Sequence, residues 1–314
     1  MLLLALAATA ARGQDLVISA GAMQSQQPDA RSFALGITYT HELTEHLAAG
    51  IGYRNEGHIP GHHRDGHVAN LWLKATAFSP ELTFGVGGGP YYYFDTTVAE
   101  GAAPEQFNNA HGWGWLYGAT MTWRPGTSRW FYQLRVERTE TGHNLDTTLI
   151  LAGVGYRLEQ DGSFKANSTG HAWRRERDDE VFGAIGQTIV NSLESQSAGA
   201  GTLEYRHAFN PVVRASLGWM HENDSRLTRR DGVIVEGWLE PSFSNDRYTL
   251  GVAAGGYFSV DDYRPGSKDL LGLVTMTASA RFASHWVGRF QWHRVASRHD
   301  RDSDIILLGM GYQF

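Results

Sequence analysis

Between positions 55 and 67 the chain reads Asn-Glu-Gly-His-Ile-Pro-Gly-His-His-Arg-Asp-Gly-His. Four imidazoles (His58, His62, His63, His67), two carboxylates (Glu56, Asp65) and the guanidinium of Arg64 fall within these thirteen residues. Imidazole and carboxylate side chains together suit Zn²⁺, Ni²⁺ or Cu²⁺, or a catalytic site. The spacing fits no established ligand pattern, and the HExxH arrangement is absent. Its polarity makes the stretch a surface loop, so the bland alternative to a ligand site is a solvated face. What decides between them is the pair of elements that carry the stretch.

Those elements are expected to be β-strands. Segments of about ten residues in which apolar and small or polar residues alternate recur at 16–24, 33–42, 47–55, 67–77, 82–95, 112–123, 130–139 and 145–158. In 82–95 one face carries Leu82, Phe84, Val86, Tyr92 and Phe94, and the other is mostly Gly, Thr and Tyr. Such segments have the length of a tilted membrane-crossing strand with lipid outside and a polar lumen inside. Short connections (44–46, 78–81, 124–129) alternate with mostly longer, more polar ones (24–31, the histidine stretch, 99–111, 140–144). With the N-terminus on the periplasmic side, the histidine stretch falls on the extracellular side.

Composition narrows the classes further. A net charge of −6 with no basic stripe excludes nucleic acid as a partner. The absence of cysteine removes disulfides, Cys-based metal sites and thiol chemistry. No cofactor is implied. Residues 1–13 contain a short leucine-rich run followed by small residues, the pattern of a cleaved signal peptide. Thirty-seven glycines sit largely inside the apolar runs rather than in linkers.

The chain also repeats itself. At an offset of 166 residues, 16 of 60 positions from Gly36 to Asp95 are identical, including Glu56/Glu222, Arg64-Asp65-Gly66/Arg230-Asp231-Gly232, Trp72/Trp238, Tyr91/Tyr257 and Asp95/Asp261. From Trp130 onward the offset is 156 and pairs Arg138/Arg294, His143/His299 and Asp146/Asp302. A first eight-strand repeat over 14–158, a polar periplasmic linker over 159–180 and a second repeat over 181–314 follow. Glu56 and Arg-Asp-Gly recur and belong to the architecture, the latter as a turn into the fourth strand. The histidines do not recur.

The chain ends Gly311-Tyr312-Gln313-Phe314, with Ile306, Leu308, Met310, Tyr312 and Phe314 on one face. This resembles the terminal signal of bacterial outer-membrane β-barrel proteins. The resemblance implies an all-β transmembrane antiparallel barrel in the outer membrane of a Gram-negative cell. It also implies assembly by the outer-membrane machinery through the last strand, with lipid and lipopolysaccharide as surroundings. About sixteen strands are expected to close into one barrel, with two tandem eight-stranded barrels as the alternative.

Strand parity places candidate lumen residues at Arg54, Glu56, Asp95, Arg135 and Glu137, and at Glu222, Asp261, Arg289 and His293. Arg138 and Arg294 have outward parity at the outer rim, where they would face lipopolysaccharide phosphates or lie along the barrel wall. Small outer-membrane barrels include lipid A deacylases with a His-x-Ser-Asn arrangement. The corresponding Glu137-Arg138-Thr139-Glu140 and His293-Arg294-Val295-Ala296 lack it, so that activity is not carried over. The resemblance leaves a channel or transport component for small solutes or saccharide chains. Its alternatives are a surface enzyme acting on lipid A or another envelope glycolipid, and a structural or adhesive barrel with ligand-binding loops.

Overall fold

The structure, a computed structural model, describes residues 13–26, 28–98, 106–142, 144–159, 179–192, 195–244, 246–264 and 268–314. The expected signal peptide and most of the expected linker therefore lie outside the described residues, as does His143. The described residues are built of strands alone. The first eight are β1 (Gln14–Gln26), β2 (Asp29–Glu42), β3 (Leu47–Ile59), β4 (His62–Thr76), β5 (Leu82–Val98), β6 (Phe107–Trp123), β7 (Trp130–Glu140) and β8 (Thr147–Glu159). The rest are β9 (Glu180–Val190), β10 (Ser197–Ala208), β11 (Val213–Glu222), β12 (Arg230–Leu239), the two-residue β13 (Ser242–Phe243), β14 (Tyr248–Asp261), β15 (Lys268–Arg281), β16 (Trp286–Ala296) and β17 (Ser303–Gln313).

The chain divides into two compact units. In the first, β1 to β8 form a closed antiparallel barrel in sequence order. Closure is made by β1 on β8, from Ser25↔Thr147 to Asp15↔Arg157. In the second, β9 pairs with β17 from Val190↔Ser303 to Glu180↔Gln313, and β12 pairs with β14, so that ring also closes. The sixteen long strands of a duplicated eight-strand unit are thus present, but they take the tandem closure and not the favoured single ring. The physical reason is that the first and last strands of each half pair along their full length, which leaves no edge to pair across the halves. A closed ring has no edge to leave unpaired in lipid.

Alternation decides what each face meets. Leu71, Leu73, Val86, Leu134, Val136 and Ile150 are exposed on the first barrel's exterior, and Ile185, Leu203, Leu217, Phe258 and Leu270 on the second's. Ile306, Leu308, Met310, Tyr312 and Phe314 are likewise outward on β17 and beyond it. Trp113, Trp115, Trp123, Trp130 and Trp286 are also exposed, in the manner of interfacial girdles. An apolar exterior around a closed ladder is what a lipid surrounding requires.

The histidine stretch corrects the loop reading. β3 runs to Ile59 and β4 starts at His62, so only Pro60 and Gly61 turn the chain. Proline followed by a glycine at φ +74° fits a tight turn that needs a left-handed second residue. The register shifts between Asn55 and His58, a bulge with Gly57 at φ +68°. The expected turn at Arg64-Asp65-Gly66 is regular strand instead. The connection at 24–31 is similarly tight, with Gln26 paired to Asp29. Where strands project beyond the lipid, both faces are wetted and polar composition no longer marks a loop.

Candidate functional site

Because the stretch is strand, parity divides it between two faces. Glu56, His62 and Arg64 point into the first barrel's mouth with Asp95. His63, Asp65 and His67 take the opposite parity on β4. His58 stacks on His63 with ring centroids 4.0 Å apart. Asp65 accepts a hydrogen bond from the Tyr53 hydroxyl at 2.9 Å, and His67 packs edge-on against Phe94 at 6.1 Å. The eight candidate ligands at the mouth therefore fall into two separate groups of four, and among the described residues no set of three or more His, Asp or Glu side chains gathers as metal ligands.

At the mouth, His62 Nδ1 lies 2.6 Å from Asp95 Oδ2, and Asn144 Nδ2 donates to the same oxygen at 3.0 Å. A carboxylate that holds Nδ1–H fixes the tautomer and presents Nε2 as an acceptor. The second carboxylate oxygen of Asp95 is buried without a hydrogen-bond partner. This dyad can exchange a proton or bind an incoming donor at the entrance.

Beneath it is a buried tier. Arg64 Nε donates to Glu56 Oε2 at 2.9 Å, and its Nη2 contacts the same oxygen. Arg64 also donates to the Leu145 carbonyl and, at 2.9 Å, to Thr147 Oγ1. Tyr91 donates to Glu56 Oε1 at 2.9 Å and Thr147 to Glu56 Oε2 at 2.8 Å. The second barrel repeats the arginine, glutamate and hydroxyl of this set at the paired positions, while Tyr257, the counterpart of Tyr91, donates to the Met220 carbonyl at 3.4 Å instead. Arg230 approaches Glu222 at 3.4 Å, donates to the Arg301 carbonyl at 2.5 Å and lies 3.4 Å from Ser303 Oγ. Ser303 in turn donates to Glu222 Oε2 at 2.9 Å. Arg64 and Glu56 thus belong to a tier common to both barrels, and the dyad to the first alone, since Thr228 stands at the position of His62.

Gly66 makes this tier possible. A Cβ there would lie 2.6 Å from the Tyr91 ring and from the Tyr92 carbonyl. Gly66→Ala should therefore cost about 1–3 kcal/mol through overpacking, read as a lower urea midpoint for the refolded protein.

Deeper in the first barrel, Glu137 is gripped by Arg54 through Nε at 2.6 Å and Nη2 at 2.8 Å, and by Arg135 Nη1 at 2.7 Å. Arg135 continues to Gln133 at 2.9 Å, and Gln133 to Thr122 at 2.9 Å. Its guanidinium lies 5.1 Å from the Trp72 ring. Below is a small near-end cavity of about 40 Å³, lined by Asp15, Lys74, Thr122, Arg124, Gln133 and Arg135.

The second barrel fills its interior differently. Met220, Gln291 and His293 stand at the positions of Arg54, Arg135 and Glu137. Charge is supplied from other strands. Arg206 binds Glu204 at 3.0 Å and Glu240 at 2.9 Å, with its guanidinium 3.9 Å from the Trp238 ring. Arg214 binds Glu240 at 3.1 Å, and Arg289 binds Glu180 at 2.5 Å. The Thr275 hydroxyl donates to Glu236 at 2.5 Å and meets His293 Nδ1 at 2.7 Å. Asp261, 3.6 Å from Arg230, closes the upper tier. Sequence reading omits Glu180, Glu204, Arg206, Arg214, Glu236 and Glu240. Parity on β9, β10, β11 and β12, carried one residue past β12 to Glu240, is the signal that marks them.

The two rim arginines are already engaged. Arg138 meets Glu140 at 3.4 Å and Asp146 at 3.6 Å, and Arg294 meets Asp304 at 2.5 Å.

No family model and no curated protein matches the chain. Among solved structures, it is similar to the N-terminal β-barrel domain of Pseudomonas aeruginosa OprF (11% identity, 47% of this chain and 98% of that one, TM-score 0.38). It is similar to Neisserial surface protein A (15% identity, 46% and 95%, TM-score 0.34) and to the KdgM porin (8% identity, 96% and 99%, TM-score 0.21). The resemblance to outer-membrane β-barrel proteins is one of class, and no subfamily is assigned.

Proposed function

We propose that this chain is an outer-membrane transport component of a narrow kind, passing small ions rather than saccharide chains. In this reading the first barrel carries the path and its histidine-bearing mouth faces outward. A periplasmic N-terminus and assembly through the C-terminal strand belong to the same proposal. The observation that carries it is the column of polar side chains inside β1 to β8. It descends from His62–Asp95 through the Glu56–Arg64 tier to Arg54–Glu137–Arg135, which stands above the near-end cavity. Eight strands leave an interior that side chains fill, so passage depends on the ion-paired layer exchanging partners. That makes Glu137, which pins two guanidiniums, the gate.

Planar-bilayer recording tests this. The wild-type protein should give small, infrequent events, and Glu137→Gln should make them more frequent. Silence from both proteins under every condition would sink the transport reading. A second reading then stands, in which the barrel is a closed scaffold presenting a ligand-binding mouth. The full burial of both partners in the Arg54–Glu137 pair favours it. Lipid A with an unchanged acylation and headgroup pattern in cells carrying the protein would exclude the commonest enzymatic alternative.

A further inference from the structure

The second barrel's mouth carries a feature that its architecture does not explain. Four arginines, Arg226, Arg264, Arg298 and Arg301, line one concavity of about 470 Å³ together with Tyr263 and His299. At the paired positions the first barrel has Pro60, Val98, Gly142 and Leu145. The shared tier of Arg230, Glu222 and Ser303 lies beneath and needs none of these four side chains; it uses Arg301 only through its carbonyl. We propose that this concavity is a binding site for a phosphate-bearing anion.

Three observations carry the assignment. First, the guanidiniums of Arg226 and Arg298 are exposed and make no hydrogen bond or ion pair among the described residues. Second, the acids nearby are committed elsewhere or shared. Asp224 accepts from the Arg226 backbone N–H and the Tyr263 hydroxyl, both at 2.8 Å. Asp261 accepts from the Tyr263 N–H at 3.0 Å and faces Arg230, and Asp269 sits 3.5 Å from Arg264. Asp261 and Asp300 are the acids that line the concavity, against four arginines. Third, Arg226 holds a left-handed φ of 70°, where a side chain is a steric burden that glycine would avoid. The mouth keeps an arginine where the backbone favours glycine. Planar guanidiniums suit the paired oxygens of a phosphate, and several converging on one hollow suit a diphosphate or a bis-phosphorylated headgroup.

The ligand's chemistry has two sources, a phosphorylated glycolipid of the surrounding leaflet or a soluble phosphate compound. Binding to the full-length protein in neutral detergent would be measured with inorganic pyrophosphate, lipid A and dephosphorylated lipid A as probes. Arg226→Gln with Arg298→Gln should weaken binding about tenfold or more. Arg247→Gln, which removes one positive charge at the exposed near end, should leave it unchanged. Because neither rim guanidinium is packed or paired, the double variant should fold, as checked by heat-modifiable gel mobility. Loss with pyrophosphate assigns a soluble source, and loss with lipid A alone assigns the leaflet. The site is refuted by equal binding of dephosphorylated lipid A, by an equal loss in Arg247→Gln, by an unaffected double variant, or by no binding of either phosphorylated probe.

Discussion

Glu137→Gln should cost the first barrel about 3–5 kcal/mol of folding stability, the penalty of leaving buried charge without its partner. Glu137, Arg54 and Arg135 are all buried, and the carboxylate takes three guanidinium hydrogen bonds from the two arginines. Burial favours the neutral form of each group, and the two arginines repel each other once the anion between them is gone. Glutamine keeps the shape and supplies no charge. The result would be read as a lower urea midpoint for the refolded protein in lipid vesicles. A pair at the solvated rim provides the contrast. Arg229 and Asp262 lie 3.3 Å apart with both side chains largely exposed, and Asp262→Asn should leave the midpoint where it is. Equal midpoints for wild type and Glu137→Gln would mean that water reaches the layer freely, and the same finding would favour an open path.

Much of this architecture is legible in the residues, and the limits are physical. Parity alone brings Arg54, Glu56, Asp95, Arg135 and Glu137 to the interior of one barrel and Glu222, Asp261, Arg289 and His293 to that of the other. Parity gives a face and not a partner. It cannot say that Arg54 crosses the lumen to Glu137 on β7, since that contact spans 83 residues. The histidine stretch misleads for a different reason. His58, His62 and His63 read as loop because polar residues fill both faces, yet a hairpin that leaves the lipid is wetted on both faces. One positive-φ glycine in a two-residue turn and one bulge suffice to keep it strand. The cluster then separates, because neighbours in a strand point in opposite directions. Closure is the feature that parity leaves open. β8 carries Gly-Val-Gly-Tyr and β17 carries Gly-Met-Gly-Tyr in their second halves, and either could seal a ring.

That ambiguity yields the prediction with the largest effect. Residues 13–159 and 179–314, produced separately and refolded into detergent or lipid, should each reach a compact barrel with a heat-modifiable gel band. Each half holds a complete ladder. β1 meets β8 along twelve register pairs and β9 meets β17 along eleven. Half of a sixteen-stranded ring would instead present two open edges to the bilayer. There each unsatisfied backbone group costs several kcal/mol, and no compensation is available from water. An open half would aggregate or stay unfolded, so the outcomes differ in kind rather than in degree. If neither half folds and only the whole chain does, the tandem closure is wrong and one wide ring returns, with the broader solute range that its lumen would admit. If both fold, solutes larger than an ion have no route through either interior, and any selectivity must reside in the ion-paired layers and the two unlike mouths.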